Sequence, residues 1–404
     1  MTRKLRLRAL RLPRTFILPL LLLAIMIVAL QERHSLAAHG PAITLSQAAS
    51  LQAFPEPRIP FAPPHYICYR TPAPPAIDGR LDEPAWNTAA WTSDFVDIEG
   101  SLKPRPRFKT RAKLLWDGGY LYVGAELEEP DVWATLTARD SVIFLDNDFE
   151  LFIDTRGDTH CYYELELNAL GTEWDLLLVK PYRDGGPAIH AWDIAGLKSR
   201  VAVDGTINHP GDKDRGWTVE LALPLEVLKE AREGKKPPVP GDQWRLNFSR
   251  VEYRVDVVDG KYVKVKDPGT GKPLPEDNWT WAPQGVVNIH YPEMWGWLQF
   301  SGRNAGEGQE EFARQPEEEA KWALRQVYYK QKTRLLKQGT YADSFSGLGM
   351  AAVKVEGYRW PPRIAAGFDL WEAVLDGVDG RESVFITGDG RVGKRPNSRG
   401  ASIP

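Results

Sequence analysis

Residues 140–180 limit the possible folds more than any other part of the chain, because their side chains alternate as a β-sheet requires. Over 149–154, Phe149, Leu151 and Ile153 fall on one side and Glu150 and Phe152 on the other, the period of two of a half-buried strand. Arg156-Gly157-Asp158 supplies a turn. Residues 162–168 resume the pattern, with Tyr163, Leu165 and Leu167 opposed to Tyr162, Glu164, Glu166 and Asn168. A second turn at Gly171 leads into a third strand over 174–180. If the apolar sets share a core, Glu150, Glu164, Glu166 and Asn168 stand together on the other face. Carboxylates and an amide crowded on one strand surface make a candidate site. The alternative is a solvated outer face whose acids pair with Arg and Lys.

The flanking chain reads as more short strands. Residues 110–116 and 120–127, joined by Asp117-Gly118-Gly119, form a hairpin. Residues 197–203, 216–224, 244–251 and 295–300 follow as strands, with a short helix over 225–233 and a Pro/Gly/Asp loop over 266–278. Asp78-Gly79 is a turn, and Asp82 or Glu83 can cap a short helix opening at Pro84. Turn signals at this spacing predict an all-β fold, an antiparallel, jelly-roll-like β-sandwich. Residues 309–337 change to helix formers ordered from acidic to basic, which suits the helix dipole. Residues 364–375 and 383–392 read as two or three further strands around Asp389-Gly390. The expected division is a signal peptide (1–37), a Pro-rich linker (38–64), the sandwich (65–301), a charged helix (302–340), and C-terminal β-hairpins with a tail (341–404).

Arg3, Lys4, Arg6, Arg8, Arg11 and Arg14 precede an apolar run over 16–30, and Ser35-Leu36-Ala37 offers small residues for cleavage. This is the pattern of an exported protein, periplasmic or extracellular, whose contact with the membrane is the signal or an uncleaved anchor. A net charge of -3 without a basic stripe argues against a nucleic-acid partner. Cys68 and Cys161 could pair after export or remain isolated thiols.

Ile77-Asp78-Gly79-Arg80-Leu81-Asp82-Glu83-Pro84-Ala85-Trp86, then Leu115-Trp116-Asp117 with Tyr120-Leu121-Tyr122-Val123, then Asp148-Phe149-Glu150-Leu151-Phe152-Ile153-Asp154, resemble family 9 carbohydrate-binding modules. Gly216-Trp217-Thr218-Val219-Glu220-Leu221-Ala222-Leu223-Pro224 and the closing Trp295-Gly296-Trp297-Leu298 follow the same pattern. The resemblance, over roughly 66–301, implies a sandwich that binds sugar and has no catalytic residues of its own. In the sugar-binding members a carboxylate on the central strand contacts the sugar, and Glu150 occupies that place. Two aromatic rings grip the sugar there; Phe144 falls near the first ring position and His290-Tyr291 near the second. Where the family has an arginine on the next strand, this chain has Glu166.

Sugars present flat apolar faces rimmed with hydroxyls, so their sites combine rings with charged or amide groups. Glu150, Glu164, Glu166, Asn168, Arg245 and Asn247 meet the polar requirement; Trp133, Phe144, Trp192, Trp279, Trp281, His290, Tyr291 and Trp295 meet the aromatic one. Trp174, Trp217 and Trp244 lie in strands and are expected in the core. The sequence thus predicts non-catalytic binding of a polysaccharide or oligosaccharide. Two other functions compete with it: glycoside hydrolysis by paired carboxylates, and b-type haem held by His290 and Met294. Asp146 and Asp148 are candidate calcium ligands.

Overall fold

The computed structural model describes residues 53–397. The expected signal peptide and most of the Pro-rich segment lie outside them. The principal strands are β1 His65–Arg70, β2 Thr110–Trp116, β3 Tyr120–Glu128, β4 Asp148–Asp154, β5 Tyr162–Asn168 and β6 Glu173–Leu178. They continue with β7 Lys198–Asp204, β8 Gly216–Pro224, β9 Gln243–Glu252, β10 Asp277–Thr280 and β11 Gly296–Asn304. Hydrogen bonding links them in the order β6-β5-β4-β9-β11-β1-β2-β3-β8-β7, with β10 on the far end of β9. The ladders are antiparallel except around β1, which runs parallel to both β11 and β2. The fold is the expected β-sandwich with that one departure from antiparallel order.

The alternation read from the sequence sets the core. Phe149, Leu151, Ile153, Tyr163, Leu165 and Leu167 are buried in one cluster with Leu114, Val123, Val219, Leu221, Trp217, Trp244 and Phe248. Burying a side chain of this size contributes roughly 1.5–3 kcal/mol, which is why the sheet closes on this face. Cys68 is buried in the same cluster and, like Cys161, is a free thiol.

Local predictions were modified where tertiary contacts intervene. The helix expected over 225–233 is one turn, Leu225–Leu228, followed by 3-10 turns; the Tyr163 hydroxyl accepts the Ala231 N–H at 2.9 Å. The helix opening at Pro84 has no side-chain cap from Glu83. Instead Glu220 accepts the N–H groups of Asp78 and Gly79 at 2.9 and 2.8 Å and the Trp86 indole at 2.6 Å. A hairpin, Val255–Val258 with Lys261–Lys264, was not foreseen.

The C-terminal helix, α1, spans Glu317–Gln338 and starts later than predicted. Before it, Gln299 of β11 bonds the Glu311 carbonyl and the Ala313 N–H, holding that stretch extended. Glu317, Glu318 and Glu319 lie in its first turn, and Gly339 in the left-handed region (φ 71°) closes it. Four final strands, Arg363–Ala366, Trp371–Asp376, Glu382–Thr387 and Val392–Pro396, form a separate sheet against this helix. The Pro-rich segment is not free of the core: Phe54 is buried in the same cluster, and Phe61 stacks on Trp322 at 4.4 Å.

A buried charge network fastens the helix to the sandwich. Arg183 forms two 2.8 Å hydrogen bonds to Glu293, which also accepts the Tyr329 hydroxyl at 2.6 Å. Burial raises the Glu293 carboxyl, but Arg183 and Arg325 outweigh it and hold the group at about 2. With both side chains nearly sealed from solvent, removal of one strands the other. Glu293→Ala should cost about 3–5 kcal/mol, read as a lowered urea midpoint.

Candidate functional site

The acid face of β4 and β5 is not a wet surface. Glu150 pairs with Glu166, and Phe152 with Glu164, across the antiparallel ladder, so the three acids share one side. Their exposures are 5% for Glu150, 5% for Glu164 and 1% for Glu166. These values exclude the solvated face paired with Arg and Lys that an alternating strand normally presents. The segment 141–146, the 3-10 turn Tyr182–Asp184 and the segment 276–290 roof this face. Together they leave a cavity of about 330 Å³ with Glu150, Glu164, Glu166 and Glu276 among its lining. This volume is at the lower end for a small-molecule site.

Burial fixes the protonation of the acids, because desolvation penalises their charged forms. It lifts Glu150 to about 7, and burial with the Glu150 charge lifts Glu164 to about 8. Glu166 and Asp148 are pushed well above the carboxylate range, by burial first and then by Glu150. Near neutral pH the cluster therefore retains protons, and its members can donate as well as accept hydrogen bonds.

The wall is aromatic. Phe144 and Trp174 lie with ring centroids 6.4 Å apart, and His190 stacks on Trp174 at 5.7 Å and 8°. Tyr182 meets His290 edge-on at 4.7 Å. His290 Nδ1 lies 3.0 Å from the Tyr162 hydroxyl, and burial with the Arg183 charge lowers its pKa to about 3, so the imidazole is neutral. The Glu166 carboxylate accepts the Phe144 N–H at 3.0 Å, tying one ring to the acid floor.

Of the residues singled out from sequence, the fold gathers Glu150, Glu164, Glu166, Phe144 and His290 around this cavity. It places the others elsewhere. Asn168 is fully buried and structural: its amide donates to the Leu136 carbonyl at 2.8 Å and to Asp146 at 3.0 Å, and it accepts the Leu170 and Thr172 N–H groups. Asn247 bonds both the N–H and carbonyl of Ala282 at 2.9 Å. Arg245 donates to the Trp295 carbonyl and Glu318 and lies 3.4 Å over the Trp297 ring, beneath α1. Trp281 and Trp279 belong to the sandwich core, and Trp133 packs against Tyr253. Tyr291 points away, donating to the Pro55 carbonyl at 3.0 Å. Trp192 stacks on Tyr163 at 4.6 Å, and Trp295 is sealed beneath the Ile289 carbonyl.

The predicted calcium pair separates as well. Asp146 takes the Thr135 and Leu136 N–H groups at 2.7 and 2.8 Å, the Thr135 hydroxyl at 2.8 Å and the Asn168 amide, so both oxygens are engaged in clipping a loop. Asp148 stands with Glu150 and Glu166 instead. The haem pair does not form: His290 lines the acid cavity, whereas Met294 packs into the cluster under α1.

Trp174, Tyr182 and Glu276 were missed. Trp174 is directly opposite Glu166 on β6, so extending the alternation by one strand would have placed it on the acid face. Tyr182 and Glu276 come from loops that carry no comparable pattern. Larger hollows, about 540 Å³ beside Arg80 and about 790 Å³ beside Trp371, are lined by charges of both signs that pair, as Arg215 does with Asp204 and Lys332 with Asp184. Neither has a cluster of unpaired acids.

Residues 77–237 match the family model described as carbohydrate family 9 binding domain-like. Two curated relatives are similar over short stretches. Endo-1,4-beta-xylanase C of Paenibacillus barcinonensis is 34% identical over 91 residues, 22% of this chain and 8% of the relative. Endo-1,4-beta-xylanase A of Thermotoga maritima is 36% identical over 90 residues, again 22% and 8%. The chain thus spans a small fraction of both xylanases. Among solved structures, a family 9 carbohydrate-binding module from Caldicellulosiruptor kristjanssonii in complex with cellotriose is 17% identical, with a TM-score of 0.39 over 61% of this chain and 100% of that one. The same module in complex with glucose matches with a TM-score of 0.39 at 17% identity, over 60% of this chain and 100% of that one. Residues 77–237 are thus similar to carbohydrate family 9 binding domains.

Proposed function

We propose that this is an exported, non-catalytic carbohydrate-binding protein that captures oligosaccharide ends or fragments in the cavity above β4 and β5. The observation that carries this reading is the junction of ring faces and carboxyl groups. Trp174 and Phe144 offer apolar surface to sugar C–H groups, and Glu150, Glu164 and Glu166 beside them offer oxygen atoms to hydroxyls. The basic and apolar N-terminal run supports export, with capture in the periplasm or outside the cell. The short likeness to two xylanases makes plant-type glycans the first class to try.

Hydrolysis is the competing use of such acids. It needs one ionised and one protonated carboxyl at the working pH. Here burial raises Glu150, Glu164 and Glu166 together, which favours hydrogen bonding over nucleophilic or general-base work. Calorimetric titration with xylan- and glucan-derived oligosaccharides tests the reading. Saturable binding is expected, weakened about tenfold to a hundredfold in Trp174→Ala or Glu150→Gln, the loss of one or two good contacts. Reducing-sugar release from xylan that disappears in Glu150→Gln would replace capture with hydrolysis.

The protonation of the floor has a signature in stability. Unfolded glutamates titrate near pH 4.3, whereas the fold keeps the protons of Glu150 and Glu164 to about 7 and about 8. Their contribution is therefore complete on the acid side and is lost as pH rises through the folded values. His290 acts oppositely: its depressed value makes acid unfavourable to the fold, but above about pH 6.5 it is neutral in both states. Thermal unfolding followed from about pH 6.5 to about pH 9 should show a falling midpoint. Glu164→Gln should flatten that slope and be the more stable protein at the alkaline end.

A further inference from the structure

Glu150, Glu164 and Glu166 line the floor of this cavity without a base, and Asp148 is buried against two of them. One oxygen each from Asp148, Glu150 and Glu166 lies within 4.8 Å of the others. A calcium shell, with oxygens at about 2.3–2.6 Å from the ion, spans about that distance. A second and separate observation concerns Glu164, which lines the same cavity at 5% exposure; its Oε2 is sealed from solvent and has no hydrogen-bond partner. Asp148 Oδ2 is in the same condition, while its Oδ1 accepts the Val251 N–H at 2.9 Å. Among the described residues no lysine or arginine pairs with any of the four. Leaving buried acceptors unmatched is costly, and a hard divalent cation held among Asp148, Glu150 and Glu166 would relieve that cost.

We propose that the cavity floor is a calcium site, with Asp148, Glu150 and Glu166 as ligands and Glu164 as a further oxygen donor. The donor set is all oxygen and carboxylate-rich, which favours calcium over the softer transition metals. The site goes beyond the glycan reading and does not depend on it. Binding must displace the protons that the acids hold when no ion is present. The other titratable groups facing the cavity are Glu276, Tyr182 and His290; the last of these is neutral and adds no competing positive charge. The ion also places its charge where a ring wall brings sugar hydroxyls, oxygen donors of the kind calcium accepts.

The test is calcium titration into the chelator-stripped full chain by calorimetry, repeated in two buffers of different ionisation heat. Terbium, whose luminescence tryptophan sensitises, serves as a second probe, with Trp174 on the cavity wall. One saturable site with proton release is expected, with affinity at least about tenfold lower in Glu166→Gln and in Asp148→Asn. Both substitutions keep side-chain shape and put a neutral amide where burial disfavours a charged carboxylate, so folding is retained. Absence of saturable calcium or terbium binding, or binding unchanged in both variants, overturns the site. Glycan binding that persists in EDTA while calcium fails to bind overturns the cation site and leaves the glycan reading standing. Calcium binding with no glycan bound across a broad panel does the reverse.

Discussion

Glu150 and Glu166 face one another across a ladder whose register is held by the opposite side of the same strands. Slipping β4 against β5 by one residue would turn Phe149, Leu151 and Ile153 out of the core and bring the acids into it. The hydrophobic effect on one face therefore enforces the juxtaposition of like charges on the other. No local interaction among the acids would hold them there; their mutual repulsion and desolvation oppose it. The sandwich core overrides that opposition, and the protonation of the cluster relieves the remainder.

What seals the face is drawn from distant parts of the chain. Segment 141–146 is clipped by Asp146, which gathers donors from Thr135, Leu136 and Asn168. The turn carrying Tyr182 is pinned by Arg183, whose guanidinium is buried against Glu293 and under the Tyr291 ring. That same Glu293 is bonded by Tyr329 of α1. The C-terminal helix thus braces the roof of the cavity without lining it. Arg245 and Tyr291, placed in the site by the sequence pattern, belong to this bracing. Their polar groups are spent on Trp295, Glu318 and Pro55.

The strands and the sidedness of the acids were legible because a period of two assigns each residue to a face without knowledge of its neighbours. The burial of those acids was not legible, since a polar strand face reads the same whether solvent or a loop covers it. Aromatic residues were misassigned for a related reason. Trp133, Trp279, Trp281 and Trp295 sit at strand ends or in loops, where sequence suggests exposure, yet each is enclosed by packing between elements far apart in the chain. Trp174 erred in the opposite sense: it is buried as expected of a strand tryptophan, but one part of its surface forms the cavity wall. Burial and participation in a site are not alternatives for a ring that large.

Glu166 sets the kind of recognition this cavity can perform, as comparison with an arginine shows. An arginine is a permanent donor, with no capacity to accept. A floor of Glu150, Glu164 and Glu166, with Asp148 buried beside it, can instead act as donor when protonated, acceptor when ionised, or ligand to a cation. Which of these it does depends on the proton and metal activity of the surroundings, because burial has moved the acids toward neutral pH. The same scaffold that fixes ring positions rigidly therefore leaves the electrostatic character of the floor to the medium. The selectivity of the pocket would then be set jointly by its fixed aromatic wall and by the ion or proton it has taken up.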